Sequence, residues 1–139
     1  MKKITGILIL MLLVALAGPT SLSAQQDAPQ KVLDIYYTHS TNRCPTCKAI
    51  EAQTRETLET QFNTETSAGS VVLHIVNIDL KENKDLVEKY KIWGSSLFLV
   101  TKGDEERTDL TKEGFAMART KPEEFRALLV KTIREKLRK

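Results

Sequence analysis

Cys44 and Cys47 are the two cysteines of this chain, and they stand two residues apart in THSTNRCPTCKAIE, residues 38–51. Thiols at that spacing can work as a redox pair, hold a soft ion or close a structural disulfide. A redox pair needs two sulfurs that meet without backbone movement, and two intervening residues at a helix start allow this. Pro45 fits the first position of such a helix, because its missing N–H has no helical partner there and its φ is already helical. Cys44 then sits at the helix N-terminus, where free N–H groups and the macrodipole favour an anion. The thiolate is the attacking species, so Cys44 is expected to be the nucleophile. Cys47, one turn inside, is expected to be more buried and to resolve the mixed disulfide. Arg43 beside Cys44 and Lys48 one turn on would favour the thiolate further.

The other uses of the pair have less support. A disulfide closing so small a loop constrains the unfolded chain little. A zinc site normally takes four ligands, and only His39 and His74 could join the two cysteines. A two-thiolate site for copper(I) or trivalent arsenic needs fewer ligands and remains an alternative for Cys44 and Cys47. His39, five residues before Cys44, could shuttle protons, although a loop histidine is more often only solvated. His74 reads as a strand residue with a satisfied hydrogen bond, and Asp34 as a strand-edge acid. Trp93 either borders the site or covers the core. No Ser-His-Asp set, carboxylate pair on one helix face or phosphate-binding glycine loop is present.

The elements that must position the pair follow from periodicity. Lys31 to Tyr37 is rich in β-formers and reads as a strand, followed by a polar loop, Thr38 to Arg43. In the helix from Cys44, Cys47, Ile50, Thr54, Leu58 and Phe62 recur at spacings of three and four, which predicts one buried face. Gly69 and Ser70 end it. Val71 to Ile78 is a nearly continuous apolar run, fitting a strand covered on both faces. Asp79 to Tyr90 reads as a short helix and Ser96 to Thr101 as a strand. A turn at 102–105 and a polar return strand, Glu106 to Leu110, complete a hairpin. Thr111 to Arg119 reads as irregular, with Phe115 and Met117 as packing contacts. Thr120 to Glu123 has the form of a capping box, and a last helix buries Phe125, Leu128, Leu129, Ile133 and Leu137. The order β-α-β-α-β-β-α predicts an α/β fold with a central mixed sheet flanked by helices.

Length and charge set the outer limits. Of 139 residues, 1–24 have the order of a secretory signal peptide: Lys2 and Lys3, an apolar core from Ile7 to Ala17, then small residues up to Ala24. That core is shorter than the ~20 residues a spanning helix needs, so an uncleaved membrane anchor is the lesser alternative. Residues 25–30, QQDAPQ, read as a linker, and 31–139 as one small domain. Without Lys2 and Lys3, 19 basic residues face 18 acidic ones, a balance that does not suit a nucleic-acid partner. The basic tail KTIREKLRK suits a helix C-terminus. Export implies an oxidising compartment, in which two cysteines usually pair.

IYY…RCPTCKAIE, then VNID, then YKIWGSSLFLV, resemble the thioredoxin superfamily, over roughly residues 31–137. With the late LTKEGFAMAR, the chain also looks similar to a narrower group, small exported bacterial thioredoxin-like proteins labelled the nitrophenyl compound nitroreductase subunit ArsF family. The resemblance implies a thioredoxin-like fold, a disulfide substrate in another protein, attack by Cys44, resolution by Cys47, no dissociable cofactor, and a membrane thiol-electron carrier that keeps the protein reduced; export adds the expectation of a periplasmic monomer. It also implies that the loop holding Trp93, Ser95 and Ser96 faces the disulfide and docks substrate. Two positions depart from the pattern. Ser96 stands where thioredoxins carry a cis-proline, so a trans bond is expected, and Arg43 stands where a tryptophan commonly precedes the first cysteine. No flavin or nicotinamide motif accompanies these residues, so stand-alone nitroreduction is not implied. A dithiol binding protein for copper or arsenic, and a non-catalytic redox partner subunit, are the alternatives.

Overall fold

The computed structural model describes residues 32–104 and 106–138. The signal-peptide and linker readings, and the expected strand start at Lys31, lie outside the described residues. The elements run β1 (Leu33–His39), α1 (Pro45–Gln61), α2 (Asn63–Ser67), β2 (Val71–Asn77), a 3-10 turn (Lys81–Asn83), α3 (Lys84–Tyr90), β3 (Ser96–Thr101), β4 (Arg107–Asp109), α4 (Thr111–Met117) and α5 (Pro122–Arg138). The described residues form an α/β fold, with five α-helices and one four-stranded mixed sheet in the order β2-β1-β3-β4. β1 pairs with β2 in parallel and with β3 antiparallel, and β3 pairs with β4 antiparallel.

Alternation along the strands divides the interior into two layers. Leu33, Ile35 and Tyr37 of β1 and Leu97 and Leu99 of β3 pack with Ile50 and Leu58 of α1 and Phe125, Leu129 and Ile133 of α5. Phe98 and Val100 point the other way, toward Tyr36, Ile92 and the α3 residues Leu86, Val87 and Tyr90. The first layer is the larger, and it fixes the helix that carries both cysteines. α1 is fastened on two sides. Arg126 of α5 bonds Gln53 and Glu56 of α1 and Glu123 of its own helix. Gly114 of α4 lies against Ile50 so closely that a Cβ there would sit 3.3 Å from the Ile50 Cδ1.

Three expectations need correction. The apolar run at Val71 is not covered on both faces: β2 is an edge strand, and only Val71 and Val76 are buried in it. It has one neighbour, and α3 covers the second layer only in part. The doubly covered strand is β3, buried from Leu97 to Thr101. Residues Thr111 to Met117 form α4 rather than an irregular segment, and its Phe115 is 43% exposed. Gly114 and Ala118 supply the buried face instead, because small residues let α4 approach α1. Finally, the Thr120 hydroxyl donates to the Ala116 carbonyl in the turn before it, not into the start of α5.

Local sequence explains the element ends. Gly69 takes φ +73°, the left-handed region that glycine enters without a Cβ clash, and Ser70 N–H then returns to the Glu65 carbonyl. Lys91, at φ 50°, ends α3 and turns the chain toward Trp93.

Candidate functional site

β1 delivers the chain to the site, and the loop after it is held by β2. Asp79 accepts the Thr41 N–H at 2.7 Å, and Asn77 Nδ2 donates to the Thr41 hydroxyl at 3.2 Å. The Thr41 N–H holds the Asp79 carboxyl below its ordinary range. Cys44 follows as the N-cap of α1, with extended backbone (φ −73°, ψ 160°), and Pro45 opens the helix. The Cys44 sulfur accepts the Cys47 N–H at 3.0 Å, as a serine or aspartate oxygen does at other helix starts.

Cys44 and Cys47 form a disulfide, with their Cα atoms 5.1 Å apart. Cys44 is exposed and Cys47 is 6% exposed. The difference follows from position: Cys44 caps the helix at its tip, and Cys47 begins the buried stripe that continues through Ile50, Thr54 and Leu58.

A polar layer lies beneath the pair. Tyr37 is fully buried, and its hydroxyl donates to the Cys47 carbonyl at 2.6 Å. The Arg43 guanidinium lies 5.6 Å from the Tyr37 ring centroid and pairs with Glu51 at 2.5 Å. Glu51 also accepts from Arg55 Nε at 2.8 Å. Burial raises the Tyr37 phenol above its ordinary value; hydrogen bonding from Arg43 opposes this and the Glu51 charge adds to it. Tyr37 therefore stays protonated and remains a donor across physiological pH. Burial alone would raise the Glu51 carboxyl, but the bonds and charges of Arg55 and Arg43 outweigh it and hold the group below the ordinary glutamate range.

That depressed carboxyl has a testable consequence. A group with a lowered folded-state pKa adds stability that is complete above its unfolded value, about 4.3 for glutamate, and is lost as pH falls through the folded value. The stability gap between the native protein and a Glu51→Gln variant should be constant from pH 7 to about 5 and narrow below about 4.3. Melting temperatures of both proteins from pH 7 to 3 measure it. A gap that did not change over that range would separate Glu51 from the acid response.

The loop between α3 and β3 crosses the end of α1. The buried Thr38 hydroxyl donates to the Gly94 carbonyl at 3.0 Å and accepts the Ser96 N–H at 3.0 Å. Between those bonds, Ser95 directs its hydroxyl to the Cys47 sulfur at 3.8 Å. The bond before Ser96 is trans, since the described residues contain no cis peptide. A proline at this position could not donate to Thr38; the serine N–H does.

The residues singled out from the sequence are distributed as follows. Cys44, Pro45, Cys47, Arg43 and Ser95 come together at one end of the sheet, with Ser96 behind them. Arg43 is committed to Glu51 and Tyr37. The Lys48 side chain is exposed, and its N–H donates to the Cys44 carbonyl at 3.1 Å. His39 ends β1, its Nδ1 2.8 Å from the Ser40 carbonyl. Trp93 is 93% exposed and so does not cover the core. Asp34 and His74 pair at 2.7 Å on the other face of the sheet, where His74 stacks on Tyr36. Burial, with the Asp34 charge and Tyr90, pushes the Tyr36 phenol up to about 12. Sequence reasoning missed Tyr37, Thr38, Glu51 and Asp79 as parts of the site. Thr38 offered no signal beyond being a polar residue beside the strand end, and Glu51 was a helix-face acid like its neighbours.

Among the described residues, no three His, Cys, Asp or Glu side chains are grouped to hold a metal ion, and no helix is long and apolar enough to cross a membrane. No protein-family model matches the chain, and no curated protein matches it either.

Proposed function

We propose that the protein is an exported thiol–disulfide oxidoreductase with a thioredoxin-like fold, acting on protein disulfides in the periplasm. The observation that carries this reading is the Cys44–Cys47 disulfide with its first sulfur exposed at a helix N-cap and its second buried one turn later. The strand order β2-β1-β3-β4, with a parallel β1-α1-β2 crossover and an antiparallel hairpin beyond it, supports the fold assignment. In the reductive direction the Cys44 thiolate attacks one sulfur of the substrate disulfide and expels the other as a thiolate. Cys47 loses its proton and attacks Cys44, releasing the second substrate sulfur. Two electrons pass to the substrate, both leaving thiolates take protons, and the Cys44–Cys47 bond forms. A membrane thiol-electron carrier then returns the pair to the dithiol. The exposed Trp93, two residues from Ser95, would then meet the substrate chain.

The test is a redox titration of the exported protein against a thiol–disulfide buffer, with thiols trapped by alkylation. A reversible two-electron midpoint is expected. A value toward roughly −270 mV identifies a reductant and one toward roughly −120 mV an oxidant. A pair that resists reduction, or does not reoxidise, overturns the reading. A tight stoichiometric complex of the reduced pair with copper(I) or trivalent arsenic, without turnover, would instead establish a dithiol binding protein.

A further inference from the structure

Cys47 is 6% exposed, so a protein group close to its sulfur takes the larger part in stabilising it as a thiolate. Asp34 cannot serve: it sits on the opposite face of the sheet in a pair with His74. The side-chain hydroxyl aimed at the Cys47 sulfur is that of Ser95, at 3.8 Å. Its position is not accidental to a mobile loop. The residues on either side of it are bonded to one buried side chain, Gly94 through its carbonyl and Ser96 through its N–H, both to the Thr38 hydroxyl at 3.0 Å. Thr38 itself is fully buried in β1. The loop thus holds Ser95 over Cys47 from both directions along the chain.

A serine has a single O–H proton and a freely rotating donor direction. Over a disulfide, whose sulfur is a weak acceptor, the proton is held loosely. Over a thiolate it turns to the sulfur, because hydrogen bonds to a charged acceptor are about twice as strong as neutral ones.

We propose that Ser95 is a catalytic residue of the resolving step: it donates to the Cys47 sulfur and favours the thiolate that attacks Cys44. The inference rests on the oxidoreductase reading for its role, but not for its measurement. In the mixed disulfide, Cys47 gives its proton to the departed substrate thiolate through solvent. The Ser95 hydroxyl compensates the charge left on sulfur, without transferring its own proton. The Cys44–Cys47 bond then forms and the remaining substrate sulfur leaves as a thiolate, so atoms and electrons balance.

The experiment reads Cys47 alone. In a Cys44→Ser background, the rate of Cys47 alkylation by iodoacetamide is followed from pH 5 to 10, with Ser95, Ser95→Ala or Ser95→Thr. The alanine variant is expected to move the midpoint up by about one unit, a roughly tenfold loss of thiolate at pH 7, and threonine to restore it. In the otherwise native protein, Ser95→Ala should slow release of substrate from the mixed disulfide by a similar factor. Alkylation of Cys44 in a Cys47→Ser background should not shift. An unchanged Cys47 midpoint in Ser95→Ala, or an equal shift at Cys44, overturns the proposal and leaves Ser95 as a packing residue. Should the protein reduce no disulfide substrate, the oxidoreductase reading fails while the alkylation midpoint still decides what Ser95 does to Cys47.

Discussion

Replacement of Cys44 by serine is expected to abolish disulfide exchange, lowering turnover of a protein disulfide by more than about a hundredfold, because no second sulfur is both accessible and at a helix start. The serine keeps the N-cap, since its oxygen can take over the Cys47 N–H that Cys44 now accepts. Loss of activity would therefore come from lost chemistry and not from an unfolded helix. Replacement of Cys47 should have a different outcome. Cys44 can still attack, but the mixed disulfide has nothing to resolve it, and the protein should accumulate covalently linked to its substrate. Turnover assays and non-reducing gels separate the two cases. If Cys47→Ser abolished attack and Cys44→Ser accumulated the adduct, the roles would be reversed, contrary to the exposure of the two sulfurs. If both variants kept the protein's function, the pair would be structural.

The largest effect on stability is expected at Phe98. Its ring is fully buried and lies 5.2 Å from Tyr36, 5.1 Å from Tyr90 and 5.1 Å from the Arg107 guanidinium, centroid to centroid or to the charged carbon. Among the described residues, the layer it belongs to has only Ile92 and Val100 as other buried apolar residues, so there is little to collapse into the space. Phe98→Ala should cost about 3–5 kcal/mol, the range for deleting a buried ring that leaves a cavity. Against a total stability of about 5–15 kcal/mol, this is enough to lower the melting temperature by ten degrees or more. Phe115→Ala is the control. That ring is 43% exposed, and its removal should change stability by no more than about 0.5 kcal/mol. Equal losses at the two positions in thermal melts would mean that the second layer contributes no more than the surface does.

What could be read before the structure, and what could not, divides along local and non-local causes. The start of α1 was legible because proline, the cysteine spacing and the buried stripe are all local signals. The hairpin of β3 and β4, and the buried face of α5, were legible for the same reason. The edge position of β2 was not. Val71 to Asn77 has the composition of a covered strand, and composition does not say how many neighbours a strand has. α4 escaped because its packing face is built from Gly114 and Ala118, which leave no apolar period to detect. The polar layer under the disulfide was hidden more deeply. Tyr37 to Cys47, Arg43 to Glu51 and Thr38 to Gly94 and Ser96 are contacts between separate elements, and each residue alone has an ordinary role in its own element. Arg43 illustrates the cost of local reasoning: its neighbour in sequence is Cys44, but its partners in space are Glu51 and Tyr37.

Arg126 and the close approach of Gly114 to Ile50 hold α1 against two other helices along its length. A helix held in this way is expected to keep its tilt and position when its terminal sulfurs change oxidation state. Reduction should then cost little reorganisation energy, with sulfur positions, one serine proton and the first turn adjusting while the rest of the scaffold stands still. Amide hydrogen exchange in α1 beyond Ile50 should be the same in the dithiol and disulfide forms. The scaffold would act as a fixed electrode mount, and the midpoint potential would record the chemistry of two sulfur atoms and not a change of shape.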